Sequence, residues 1–204
     1  MSIKNIIFDV GGVFVKWDPK LVFRKYFNSE AEIDDFMKEI DFYGMNEKGD
    51  IGIETITTMI GQLSKEFPQY KNALLAYDVN WIDTIAFEYE GTRKLAQDLH
   101  KSGYKTYILS NWEGDKFRIF DSKYKLIEMV DGYVLSGDVR IVKPDPAIYK
   151  LLLDKYGLKA SECVFLDDLE KNVEGAKNVG IEAFVFKSAA EAKKDLESLG
   201  VKIK

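Results

Sequence analysis

A chain of 204 residues, 46% hydrophobic and 31% charged, is long enough for one substantial core with a smaller insertion and too apolar to remain disordered. Its net charge of −5, with lysine and arginine spread evenly, argues against a nucleic-acid partner, because binding to a phosphate backbone needs a clustered basic footprint. The single cysteine excludes an internal disulfide framework, and no run reaches the roughly eighteen apolar residues of a membrane span, so the expected location is the cytoplasm.

The stretch from Lys4 to Pro19 organises the rest. Ile6, Ile7 and Phe8 stop abruptly at Asp9, and Gly11 and Gly12 follow before the chain turns apolar again at Val13. An apolar run bounded by glycine fits a buried strand of a parallel sheet, and open sheets bind ligands beyond the carboxyl ends of such strands. Asp9 taken alone is equally a turn cap. After Pro19 the spacing becomes helical, first at Leu21, Val22, Tyr26 and Phe27, then at Ile33, Phe36, Met37 and Ile40. A glycine-containing link from Gly44 to Gly52 leads to a helix over 53–67, and Pro68 precedes a further run from Tyr70 to Trp81. No strand is evident in this region, which therefore reads as a helical insertion behind the first strand. The stripe Phe14, Phe23, Tyr26 and Phe27 is expected to be core between insertion and sheet.

From Gly91 helix and strand alternate. A helix over 92–100 stops at Gly103, with His100 as a C-terminal cap; a strand over 104–109 ends at Ser110, Asn111 and Trp112. A helix over 115–124, a short strand over 132–135 and a helix from Pro144 to Tyr156, entered through Lys143, come next. The strand Cys163 to Leu166 buries the lone cysteine and ends at Asp167 and Asp168; a helix over 170–179, a strand over 181–186 and a last helix complete the chain. The predicted fold class is α/β: a parallel sheet with helices on both faces and an α-helical insertion after the first strand. The expected division is 1–17 and 88–204 for the core and 18–87 for the insertion.

One edge of that sheet would gather Asp9, Ser110 and the Asp167-Asp168 pair. Converging carboxylates repel, so a cation must sit among them or a proton must stay bound. Oxygen-only ligands favour magnesium, held by one or two carboxylates together with phosphate oxygens. Lys143 would supply a fixed positive charge.

Four segments in this order, Phe8-Asp9-Val10-Gly11-Gly12-Val13, Leu109-Ser110-Asn111, Lys143-Pro144-Asp145 and Leu166-Asp167-Asp168 with Asn172 to Ala176, resemble the motifs of the haloacid dehalogenase superfamily over nearly the whole chain. The resemblance implies a Rossmann-like core with the insertion, 18–87, as an α-helical cap, and a phosphatase with Asp9 as the nucleophile that takes up phosphate. It implies that Ser110, Asn111 and Lys143 hold the phosphoryl group and that Asp168, Asp167, Asp9 and the carbonyl of Gly11 carry magnesium. The substrate would be a small phosphorylated metabolite, and the subgroup with Trp-Asp-Pro after the first motif includes sugar-1-phosphate phosphatases.

One position departs from the pattern. Family phosphatases usually carry a second aspartate two residues after the nucleophile, and here that residue is Gly11. A positioned acid or base contributes about 10²–10⁴-fold, so either the leaving group is a good one or another proton carrier, from the cap or a water, takes over. Two alternatives follow from the same gap: a 2-haloacid dehalogenase, disfavoured by Asp167 and Asp168, and a non-catalytic phosphate-binding protein. Specificity is expected from Tyr43, Asn46 and Glu47, ahead of a turn at Gly49, and from Trp17 and Trp112, with hinges near 17–19 and 85–91. The sequence sets no oligomeric state.

Overall fold

The computed structural model describes residues 2–203. In chain order, β1 (Asn5–Phe8) leads into β2 (Val15–Trp17), and five helices follow: α1 (Lys20–Phe23), α2 (Glu30–Glu39), α3 (Phe42–Ile51), α4 (Ile56–Glu66) and α5 (Lys71–Val79). Then come β3 (Ile85–Glu88), α6 (Glu90–Lys101), β4 (Lys105–Ser110), α7 (Gly114–Tyr124), β5 (Gly132–Leu135) and α8 (Ser136–Val139). The chain continues through α9 (Pro146–Tyr156), β6 (Cys163–Asp167), α10 (Glu170–Lys177), β7 (Glu182–Val185) and α11 (Ala189–Ser198). No helix among these residues is long and apolar enough to cross a membrane.

Five strands form a parallel sheet in the order β5-β4-β1-β6-β7. The period of two along each strand divides the interior into two cores. Ile6, Phe8, Ile108, Val164 and Leu166 point into one, shared with α6, α7, α11 and the inserted helices. Ile7, Tyr107, Leu109, Cys163 and Phe165 point into the other, against α9 and α10. β1 is central, with Phe8 in register with Ile108 on one side and Leu166 on the other. The chain runs outward from β1 through β4 to β5 and then returns to β6 and β7. The strand order therefore reverses at β1, the place where open α/β sheets form their ligand crevice.

The inserted helices hang between β2 and β3, which pair antiparallel in a separate two-stranded ribbon. Neither strand is evident from the sequence, because each has only three or four residues and one half-exposed face. The predicted link from Gly44 to Gly52 is a correction of a different kind: it is the body of α3. Its helix propensity is poor, with two internal glycines, but Phe42, Met45, Asn46 and Gly49 fall on one buried face at helical spacing. Packing overrides propensity there. The aromatic stripe is core at Phe14 and Phe23, whereas Tyr26 is 45% exposed and Phe27 half-buried. His100 turns its ring toward Asp131, with Nδ1 and Oδ2 3.8 Å apart, and does not cap its helix.

Gly52 ends α3 in the left-handed region at φ 74°, and its Cα lies so close to the core that a Cβ would stand 2.4 Å from the Gly137 carbonyl oxygen. Beside it the Ser136 hydroxyl donates to the backbone carbonyl of Asp50 and accepts from the Trp112 N–H. The end of α3 is thereby fastened to the start of α8 and, through Ser136, to the loop after β4.

Candidate active site

Three strands deliver the polar groups to one edge. Asp9 follows the last residue of β1, Ser110 ends β4 and Asp167 ends β6. Lys143 arrives from the segment before α9, whose start is fixed by Asp145, accepting from the Ala147 N–H, and by Pro146 in the first turn. The Asn111 side chain sets the position of Lys143. Its Nδ2 donates to the Lys143 carbonyl at 3.0 Å and its Oδ1 accepts from the Lys143 N–H at 2.8 Å.

Asp9, Lys143 and Asp167 are nearly sealed from solvent, at 7%, 2% and 0% exposure. Lys143 Nζ lies 2.9 Å from Asp9 Oδ1 and 2.6 Å from Asp167 Oδ2. Ser110 donates to Asp9 Oδ1 at 2.7 Å, and among the described residues Asp9 Oδ2 has no hydrogen-bond partner. One carboxylate oxygen is thus anchored and the other is free toward the cleft. Burial pushes the Asp9 carboxyl up to about 6, reinforced by the negative Asp167 and opposed by Lys143 and Ser110. Burial also works against the charge of Lys143, but Asp9 and Asp167 outweigh it and raise its proton affinity.

Asp9, Asp167 and Asp168 bring carboxylate oxygens within 4.8 Å of one another, a cluster able to hold a metal ion. Their donor chemistry fits a hard divalent cation. The three are not equivalent. Asp167 accepts from the Leu169 N–H, from Asn172 Nδ2 at both oxygens and from Lys143, which occupies its lone pairs. Asp168 is exposed, and among the described residues no other residue hydrogen-bonds to its carboxylate. The free coordinating oxygens therefore belong to Asp168 and to Asp9. Gly12 makes room for them: it stands at φ 73°, and a Cβ there would fall 2.3 Å from Asp168 Oδ2.

Two cavities open over Asp9 and share Gly11, Trp17, Glu47, Asp50 and Asn111 as walls. The first, about 250 Å³, is walled by Trp17, Tyr43, Ile56, Trp81 and Trp112. The second, about 630 Å³, holds Asp168, Lys143, Lys16 and Lys171. Of the residues expected to set specificity, all five line the first cavity, but Asn46 has its amide spent internally. Its Nδ2 donates to the Phe42 carbonyl and its Oδ1 accepts from Tyr77. Trp81 and Asp50 are walls that sequence reasoning missed. Trp81 offered no signal apart from its aromatic character. Asp50 lies three residues after Glu47, which a helical reading of this segment would have placed on the same side.

A buried carboxylate with one free oxygen, a lysine and a hydroxyl on its other oxygen, and a carboxylate cluster fit for a divalent cation meet at the sheet's switch point. Residues 3–180 match the family described as haloacid dehalogenase-like hydrolase. The chain belongs to that family. It is 34% identical over 108 residues to the rat bifunctional epoxide hydrolase 2, of which it covers only 20%, and it is itself covered over 51%. It is 26% identical over 211 residues to the D-ribitol-5-phosphate phosphatase of Bacteroides thetaiotaomicron, covering 95% of this chain and 97% of that protein. A solved structure of the Bacteroides thetaiotaomicron enzyme BT-2542, complexed with magnesium and inorganic phosphate, shares the fold at a TM-score of 0.72. That likeness covers 92% of this chain and 96% of the other at 21% identity.

Proposed function

We propose that this chain is a magnesium-dependent phosphatase of small phosphorylated metabolites, hexose 1-phosphates among them, acting through an aspartyl-phosphate on Asp9. The observation that carries the reading is the asymmetry of Asp9, one oxygen bound by Ser110 and Lys143 and the other free toward the cleft. The near full-length similarity to a sugar-alcohol phosphatase supports the substrate class. Residues 18–87 serve as the cap over the site.

Asp9 Oδ2 attacks phosphorus, and the bond from phosphorus to the leaving oxygen breaks. Lys143 and the Ser110 hydroxyl face the charge that gathers on the phosphoryl group, and Asn111 keeps Lys143 in place through its backbone. A water then attacks phosphorus and releases Asp9 with its oxygens intact. Asp168, Asp9 and the Gly11 carbonyl would hold a magnesium ion, which neutralises phosphate charge when bound. The aromatic walls would pack on the apolar face of a sugar or polyol.

The test is phosphate release from a panel of sugar, polyol and acyl phosphates with magnesium and with chelator. Release that requires magnesium is expected. A folded protein that binds phosphate analogues and releases nothing would be a non-catalytic binder, and halide release from a 2-haloacid would make it a dehalogenase.

Gly12→Ala probes the metal site separately. The new methyl group must displace Asp168, so apparent magnesium affinity should fall about 10–100-fold, the range seen when groups orienting a ligand are lost. The left-handed backbone adds about 1–2 kcal/mol of destabilisation. Magnesium titration of the parent and variant activities reads the first effect and thermal unfolding the second; an unchanged titration would remove Asp168 from the metal site.

A further inference from the structure

We propose that Asp50, brought from the inserted helices, is the acid and base of this site and replaces the carboxyl that Gly11 lacks. The inference rests on the phosphatase reading.

Asp50 and Asp9 wall the same two cavities, so a leaving group seated on Asp9 faces Asp50. Glu47 lines both as well, but it is exposed and Asp50 half-buried. Asp50 is held at one end only: Oδ1 accepts from the Glu113 N–H at 3.0 Å, and Oδ2 has no partner among the described residues. It sits in the last turn of α3, where the carbonyl end of a helix disfavours negative charge. The groups facing it are Glu113, Asp9, Glu47 and the Tyr77 hydroxyl, and none is cationic. Burial, with Glu113 and Asp9 adding to it against the Glu113 N–H, pushes its carboxyl up to about 8. It therefore carries a proton at neutral pH.

The steps balance. As Asp9 Oδ2 bonds to phosphorus and the phosphorus–oxygen bond to the leaving group breaks, the Asp50 proton passes to the leaving oxygen, which departs as an alcohol. The Asp50 carboxylate then takes a proton from the water that attacks the aspartyl-phosphate. Inorganic phosphate and free Asp9 result, and Asp50 is again protonated. The placement of Asp50 also depends on docking of the insertion. Its carbonyl is held by Ser136, its side chain by the Glu113 backbone, and Gly52 rests against Gly137. The acid is in position only when the insertion is closed on the core.

The test compares two probes: p-nitrophenyl phosphate, whose leaving group departs without a proton, and glycerol phosphate, whose alkoxide requires one. Asp50→Asn keeps the bond from Glu113 through its amide oxygen. It should lower kcat/KM for glycerol phosphate by about 10²–10⁴-fold and lose far less on p-nitrophenyl phosphate. In the parent, kcat/KM for glycerol phosphate should fall as pH rises through about 8, while that for p-nitrophenyl phosphate should not; this measurement needs no variant. Gly11→Asp in the Asp50→Asn background should restore glycerol phosphate hydrolysis, because a Cβ at position 11 meets nothing within 4 Å. Equal losses on both probes with an unchanged pH profile would reduce Asp50 to a structural residue, and no loss on either would remove it. A parent that releases phosphate from neither probe nor any sugar, polyol or acyl phosphate of the panel defeats the phosphatase reading itself, and this inference with it.

Discussion

Lys143→Met should lower the melting temperature measured in chelator at neutral pH by roughly 6–20 °C. The lysine is buried between Asp9 and Asp167, 2.9 and 2.6 Å from their oxygens, and methionine leaves two carboxylates in the core without their cation. Breaking a buried ion pair from one side costs about 3–5 kcal/mol, and a domain of this size loses about 2–4 °C per kcal/mol. The sign with pH follows from the uncompensated charge. Protonation of the carboxylates removes it, so the gap between variant and parent should narrow as pH falls. A divalent cation should recover part of the loss by sitting among the same oxygens. A melting temperature that matches the parent at neutral pH in chelator would mean that the carboxylates hold a proton between them and do not depend on Lys143.

Asp9→Asn should abolish phosphate release, by on the order of 10⁴-fold or more, as loss of a nucleophile does elsewhere. The amide can still accept from Ser110 but cannot attack phosphorus. Its effect on stability should have the opposite direction from that of Lys143→Met. The folded Asp9 carboxyl holds its proton up to about pH 6 against an ordinary value of 3.8, so the unfolded chain ionises first and the fold loses stability as pH rises between the two. Above that window the loss is constant; below 3.8 it vanishes. The amide has no such cost, so without metal Asp9→Asn should melt above the parent at pH 7, with the advantage closing as pH falls toward 4. Loss of activity joined to a gain in stability is the expected mark of a strained functional group. A variant that keeps its activity would exclude Asp9 as nucleophile.

β1, β4 and β6 were legible because each carries an apolar run that stops at a polar residue, as expected of a strand buried on both faces. With three such strands in place, the meeting of Asp9, Ser110 and Asp167 followed from the parallel order alone. Lys143 was legible through its resemblance motif, but its geometry depends on the paired hydrogen bonds from Asn111, which spacing does not reveal. The ribbon of β2 and β3 was hidden because its strands lie far apart in the chain and are too short to show alternation. α3 was hidden because its glycines mimic a link. Gly49 is needed for another reason, since a Cβ there would stand 2.9 Å from Ile56. Asp50 was missed with α3: its three-residue spacing from Glu47 counts only if the segment is read as a helix, and its burial depends on contacts with Glu113 and Ser136, 63 and 86 residues away.

The central claim is that phosphate passes through a covalent bond to Asp9. It is tested most directly by acid-quenching the protein during turnover of a hydrolysed sugar phosphate and locating any added phosphoryl group by mass spectrometry of its peptides. The account predicts one acid-stable, base-labile phosphoryl group on the peptide carrying Asp9, absent from Asp9→Asn. Steady phosphate release with no phosphoryl group on that peptide at any quench time, or with the group on another residue, would contradict it.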